Sequence, residues 1–271
     1  MFDFNILTFW SWISPLRALA IARNTRAMDE FLLPSVLAAL DPAPGADPGA
    51  GRKTVVDLAV QALRDEAGRP DAAFVAVVLA QLKVFLFAGH DTTATSLCWA
   101  LHALYRDPPS LARVRAELDA VLGPPAASAA VLRARPHLVH ALPFTAACLR
   151  EALRLWPAVG PIRDGTAAFA FAVPGWAAPA PTRSFMVWDG VRATSRSEAV
   201  WPRAGEFLPE RWLVAEGHEL YPPRNAWHPF GIGSRSCIGL ELALVEMRLV
   251  LALVTRELEV HCAWEEWDAA R

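Results

Sequence analysis

Residues 230–239 read Phe-Gly-Ile-Gly-Ser-Arg-Ser-Cys-Ile-Gly, a single cysteine, Cys237, set among three glycines. Gly231, Gly233 and Gly239 permit torsions and close approaches that a Cβ blocks, so this stretch must turn tightly. Directly after it, Leu240, Leu244, Met247, Leu251, Val254 and Leu258 recur at steps of four and three, which traces one face of a long helix. A thiolate has to stay deprotonated while partly buried. A helix N-terminus and backbone N–H groups aimed at the sulfur both favour the charged form. The pattern therefore predicts a loop that presents Cys237 to a metal, with a buried structural cysteine as the competing reading.

The rest of the chain supplies a large core. Of its 271 residues, 54% are hydrophobic and 20% are charged, a balance that excludes a disordered chain. The net charge of −2 offers no electrostatic case for nucleic acid. Cys98, Cys148, Cys237 and Cys262 are scattered, with neither a C-x-x-C pair for zinc nor the spacing of a secreted disulfide framework. A reducing compartment suits a cysteine that must remain a free thiolate. Residues 6–13 are apolar but too short to span a bilayer, and Asp3, Pro15 and Arg17 bracket them, so a packed helix is expected and no anchor is evident. Residues 72–88 are also strongly apolar, interrupted by Gln81 and Lys83.

Punctuation by proline and glycine divides the chain. Residues 1–40 read as helices broken at Pro15 and Pro34, 41–51 as a flexible Pro/Gly-rich loop, and 53–67 as a helix. Pro70 and Asp71 open a very long helix reaching about Tyr105. Shorter helices are expected at 110–122 and 142–156, and short strands at 167–173 and 183–188. Residues 200–229, dominated by Pro and Trp, read as irregular. The expected fold class is mainly α with a small β component.

Three further motifs precede the cysteine loop. Residues 88–93 are Ala-Gly-His-Asp-Thr-Thr, inside the long helix. A mid-helix threonine, Thr92, can bond the carbonyl of Ala88 and loosen the local ladder, and Gly89 leaves room for a groove. Glu151 and Arg154 share a helix face at i and i+3. Residues 209–212 are Pro-Glu-Arg-Trp, and Arg163 stands at the start of an expected strand.

Taken in order, these motifs resemble those of the cytochrome P450 family. Residues 230–239 fit its haem-binding signature F-x-x-G-x-R-x-C-x-G at every fixed position, 88–93 fit its A-G-x-D-T-T oxygen-activation motif, and 209–212 resemble its P-E-R-F/W segment. The resemblance runs from about residue 71 to the end and has the style of fungal microsomal members. It implies a truncated cytochrome P450 fold: 1–70 a helical lead-in with a Pro/Gly-rich loop, 71–271 the haem-binding core.

The resemblance also implies the site. The cofactor would be heme b, iron protoporphyrin IX, with Cys237 as the iron ligand and Phe230, Gly231, Gly233 and Gly239 shaping its cradle. Arg235 and Arg163 would bind the propionates. Asp91 and Thr92 would serve oxygen activation by hydrogen bonding and proton relay. Glu151, Arg154 and Arg211 would form a buried structural triad. The implied activity is monooxygenation: one atom of dioxygen enters a small lipophilic substrate. Electrons would come from NADPH through NADPH-cytochrome P450 reductase, at the cytosolic face of the endoplasmic reticulum membrane in the full-length form. A role in secondary metabolism follows from the same style. The departures are the position of the oxygen-motif helix near the start of the chain and Thr194-Ser195-Arg196, where many members carry His-Arg. The first of these motivates an alternative, a truncated, non-catalytic haem-binding or scaffold remnant.

Overall fold

The structure, a computed structural model, describes residues 15–41, 54–65, 71–264 and Trp267. The apolar stretch 6–13 and most of the 41–51 loop lie outside the described residues. Two compact units divide at Ala88 and Gly89, inside the long helix.

In the first unit, helix α1 (Pro15–Leu40) begins at Pro15, where a missing N–H costs nothing. It then runs straight through Pro34, which corrects the expected break. Pro34 forgoes only its own hydrogen bond and crowds the turn before it. Leu32 and Leu33 on one side of it, and Val36, Ala39 and Leu40 on the other, share one apolar cluster, so packing holds the helix across the proline. Helix α2 (Val55–Asp65) adds Val56 and Val60 to that cluster, and the start of α3 (Ala72–Tyr105) adds Val78 and Leu79. Thr54 and Asp57 cap α2 reciprocally, with Thr54 N–H donating to Asp57 Oδ2 at 2.8 Å. Helix α3 is long and apolar enough to cross a membrane by length and composition, a test that core helices of soluble proteins also pass.

In the second unit, the end of α3 packs with α4 (Pro108–Leu122), α5 (Ser128–Ala134), α6 (Pro143–Leu155) and, past the sheets, α8 (Leu240–Val254). Leu104, Val114, Leu118, Leu149, Met247 and Leu251 are wholly or almost wholly buried there. Leu258, counted on the face of α8 from its spacing, instead lies beyond the end of that helix and is exposed. Pro108 and Pro143 occupy first turns, and Gly123 ends α4 at φ +73°.

The N-terminus of α6 has no cap of its own and borrows one. Glu117 on α4 accepts from the Phe144 and Thr145 amides at 2.7 and 2.8 Å and from the Thr145 hydroxyl at 2.6 Å. A carboxylate there satisfies free amides and faces the positive end of the helix dipole. Glu117→Gln is expected to destabilise the protein by about 1–2 kcal/mol. Chemical denaturation would check this. An unchanged midpoint, with undiminished amide protection at residues 144 and 145, would refute the cap.

Strands β1 (Ile162–Asp164) and β4 (Met186–Trp188) pair antiparallel, Arg163 opposite Val187. Strands β2 (Ala170–Phe171) and β3 (Ala180–Pro181) form a second pair. These strands are shorter than the expected 167–173 and 183–188. Gly165 joins the two pairs so closely that a Cβ would lie 1.8 Å from the Thr182 carbonyl oxygen. Helix α7 (Val191–Ser195) leads to the irregular stretch, which holds one short 3-10 turn, Pro209–Trp212.

Candidate functional site

The cysteine loop closes on itself through its backbone. Cys237 N–H donates to the Phe230 carbonyl at 2.8 Å, and Ser236 N–H to the Gly233 carbonyl at 3.0 Å. Gly231 and Gly233 take φ of +72° and +83°, torsions that strain any residue with a Cβ. A 3-10 turn, Gly233–Arg235, follows, and α8 starts at Leu240. The Cys237 amide thus closes the turn. The thiol itself is free and exposed, as is the side chain of Arg235. Its Sγ leans over Gly239, where a Cβ would stand 3.9 Å away. Phe230 is half-buried against the main core and anchors the loop.

Behind the loop lies the most densely bonded polar cluster of the unit. Glu151 and Arg154 on α6 form a two-pronged pair, with Nε to Oε2 at 2.9 Å and Nη2 to Oε1 at 2.7 Å. Arg211, from the 3-10 turn, donates its Nε to Glu151 Oε1 at 3.0 Å. All three side chains are 0% exposed. The structure thus brings together the three residues expected as a triad. Arg154 also donates to the carbonyls of Ser195, Ala204 and Glu206, and Arg211 to that of Arg203. The irregular stretch is therefore pinned by guanidinium forks, which satisfy its carbonyls where regular strand pairing is absent.

Sequence reasoning missed the tryptophans of this cluster. Trp201 is fully buried with both guanidiniums over its ring, at 5.2 Å for Arg154 and 5.8 Å for Arg211. Trp212 donates its Nε1 to Glu151 Oε2 at 3.1 Å. Trp212 then meets Trp227 at 5.7 Å between ring centroids, and Trp227 meets Phe230 at 6.0 Å. Trp227 Nε1 donates to the Arg150 carbonyl at 3.1 Å. A continuous aromatic series thus runs from the buried carboxylate to the residue whose carbonyl holds Cys237. Trp201, Trp212 and Trp227, three of the 11 tryptophans, fall in the Pro-rich stretch 200–229, and that concentration was the available signal.

The other expected residues are placed less tightly. Helix α3 runs continuously through residues 88–93. A Cβ at Gly89 would meet nothing within 4 Å. Asp91 is exposed and Thr92 half-buried, while Thr93 and Ser96 are buried. Arg163 is exposed on β1, its Nη1 donating to the carbonyl of Ile162 at 2.9 Å. Cys148 is excluded as a ligand by burial, which pushes its thiol far above the usual range, with Glu210 and Glu117 adding to the rise.

The donor set fits a haem better than a bare metal ion. Among the described residues no three His, Cys, Asp or Glu side chains could hold an ion together. A metal at Cys237 would take its remaining ligands from a non-protein group. The thiol lies over Gly239, and Ile232, Ile238 and Leu242, near it in sequence, are exposed, apolar surface that a macrocycle can cover. The exposed Arg235 lies two residues away to meet an acidic edge.

Comparison with known proteins agrees. Residues 47–267 match the cytochrome P450 family. The chain is 42% identical over 223 residues to cytochrome P450 monooxygenase polC of Polytolypa hystricis, a match covering 80% of this chain and 40% of that protein. It is 33% identical to cytochrome P450 monooxygenase acrF of Aspergillus aculeatus, over 81% of this chain and 48% of that one. A crystal structure of a cytochrome P450, CYP102L1, superposes with a TM-score of 0.68 at 26% identity, covering 91% of this chain and 52% of the other. The chain therefore spans between two-fifths and about half the length of these proteins. With motif order, fold and sequence all in agreement, the chain belongs to the cytochrome P450 family.

Proposed function

We propose that residues 71–271 form the haem-binding core of a haem-thiolate monooxygenase and that 1–70 are its helical lead-in. The complete protein would insert one oxygen atom from dioxygen into a small lipophilic substrate, drawing electrons from NADPH through NADPH-cytochrome P450 reductase. Its full-length form would act at the cytosolic face of the endoplasmic reticulum membrane, and its fungal relatives suit a role in secondary metabolism. The observation carrying this reading is the exposed Cys237 in a glycine-hinged loop that is tied back to a buried Glu151–Arg154–Arg211 network.

When bound, heme b would supply the redox chemistry, activating dioxygen and releasing its second atom as water. Each protein group has a narrower task. Cys237 would donate the thiolate. Arg235 and Arg163 would bind the propionates, and Phe230, Gly231, Gly233 and Gly239 would shape the face beneath the ring. Thr92 would orient a proton donor by its hydroxyl, and Asp91, open to solvent, would refill it. Glu151, Arg154 and Arg211 would hold the loop still. A second reading is a non-catalytic haem-binding or scaffold remnant.

One preparation separates the readings. The chain purified with haem, reduced and treated with carbon monoxide should give the red-shifted, thiolate-type Soret band; failure to take up haem would sink the monooxygenase and leave only a scaffold remnant. With reductase and NADPH, product formation supports the monooxygenase, and haem binding without turnover supports the remnant. Thr92→Ala should raise peroxide leakage per NADPH consumed, and unchanged coupling would remove Thr92 and Asp91 from proton delivery.

A further inference from the structure

His228 stands two residues before the cysteine loop, with one ring nitrogen hydrogen-bonded and the other facing a carboxylate. Nδ1 lies 3.0 Å from the carbonyl oxygen of Ala226. A carbonyl only accepts, so Nδ1 carries a proton. Nε2 lies 3.6 Å from Asp189 Oδ1. A carboxylate also only accepts, and a neutral ring would point a lone pair at it. A proton on Nε2 replaces that repulsion with an ion pair. His228 is 14% exposed and Asp189 40%, so the contact is only partly open to water.

The contact joins two parts of the site. Asp189 directly follows β4, and its N–H donates to the Pro161 carbonyl, just before β1, at 3.0 Å. It is thereby fixed to the strand pair that carries Arg163. The His228 carbonyl accepts from Gly231 N–H at 3.0 Å, within the first turn of the loop. Movement at His228 would pass through Pro229 to Phe230, whose carbonyl holds the Cys237 amide.

We propose that His228 is a positioning residue, its imidazolium clasping the start of the cysteine loop to Asp189 and fixing the register in which Cys237 is presented. Its functional meaning rests on the reading of Cys237 as the iron ligand, but the clasp itself is tested without haem.

The test uses the full chain and the variants His228→Gln, Asp189→Asn and their double mutant, with hydrogen exchange followed over residues 230–240. Each single variant should speed exchange about two- to five-fold, as expected for a partly exposed ion pair. The double mutant should exchange no faster than either single, and Asp189→Glu should restore slow exchange. Long-range nitrogen–proton correlation spectra should show both ring nitrogens of His228 protonated in the parent, a signature that mere filling of space does not give. Unchanged exchange in Asp189→Asn, additive effects in the double mutant, or a neutral ring would overturn the clasp. A coupled pair in a chain that gives no thiolate-type band would keep the clasp and remove the iron-ligand reading.

Discussion

Cys237→Ala is expected to abolish the thiolate-type Soret band of the reduced, carbon monoxide-treated chain completely while leaving the fold intact. The loss should be total because a thiolate-type band requires a cysteine ligand, and Cys237 is the one assigned. Among the described residues no cluster of three metal-binding side chains exists, and Cys148 is buried as a neutral thiol on α6. The fold should survive because Cys237 is exposed and the loop is closed by backbone bonds that alanine retains. Its change in stability should stay within about 0.5 kcal/mol, as for other surface substitutions. Absorption spectra and a denaturation curve on the same preparation therefore report separately. A thiolate-type band that persists in the variant would mean another cysteine ligates, and the assignment of Cys237 would fall.

Glu151→Gln should have the largest effect on stability. Glu151 accepts five hydrogen bonds: Arg154 Nε and Nη2, Arg211 Nε, Trp212 Nε1 and the Leu208 amide. Glutamine preserves the shape but removes the charge, and its amide group would face donors. Two guanidiniums, 0% exposed, would then stay buried without a counter-charge. Breaking such a buried pair costs about 3–5 kcal/mol, a large share of the roughly 5–15 kcal/mol that holds a typical domain. The pair Arg203–Glu206 provides a contrast, since both side chains are 53% exposed and solvent screens them. Urea denaturation of Glu151→Gln and Glu206→Gln would compare the two. A Glu151→Gln midpoint no lower than that of Glu206→Gln would show that the network does not hold the fold. Loss of the network should also loosen the loop, because Trp212, Trp227 and Phe230 connect them.

Much of the site was legible because its determinants are local. The torsions of Gly231 and Gly233 follow from residue type, and the cysteine loop is closed by bonds between residues within ten positions of one another. The span of α3 and the face of α8 down to Leu251 follow from helical periodicity. The pairing of Glu151 with Arg154 needs only one turn of helix. Local rules failed where packing overrode them: Pro34 sits inside a helix, and Leu258 lies outside one.

Tertiary structure decided the rest, although the family resemblance had already grouped Arg211 with Glu151 and Arg154. Arg211 reaches Glu151 across sixty residues of sequence, Glu117 caps a helix that begins at Pro143, and Asp189 meets His228 from the end of a strand. None of these pairs has a periodicity or spacing to betray it, because each depends on how separately formed elements dock. The sequence by itself thus determined the glycine-hinged turn that carries Cys237. Only the folded chain decided what holds that turn in place, because a buried charge finds its partners in space rather than along the backbone.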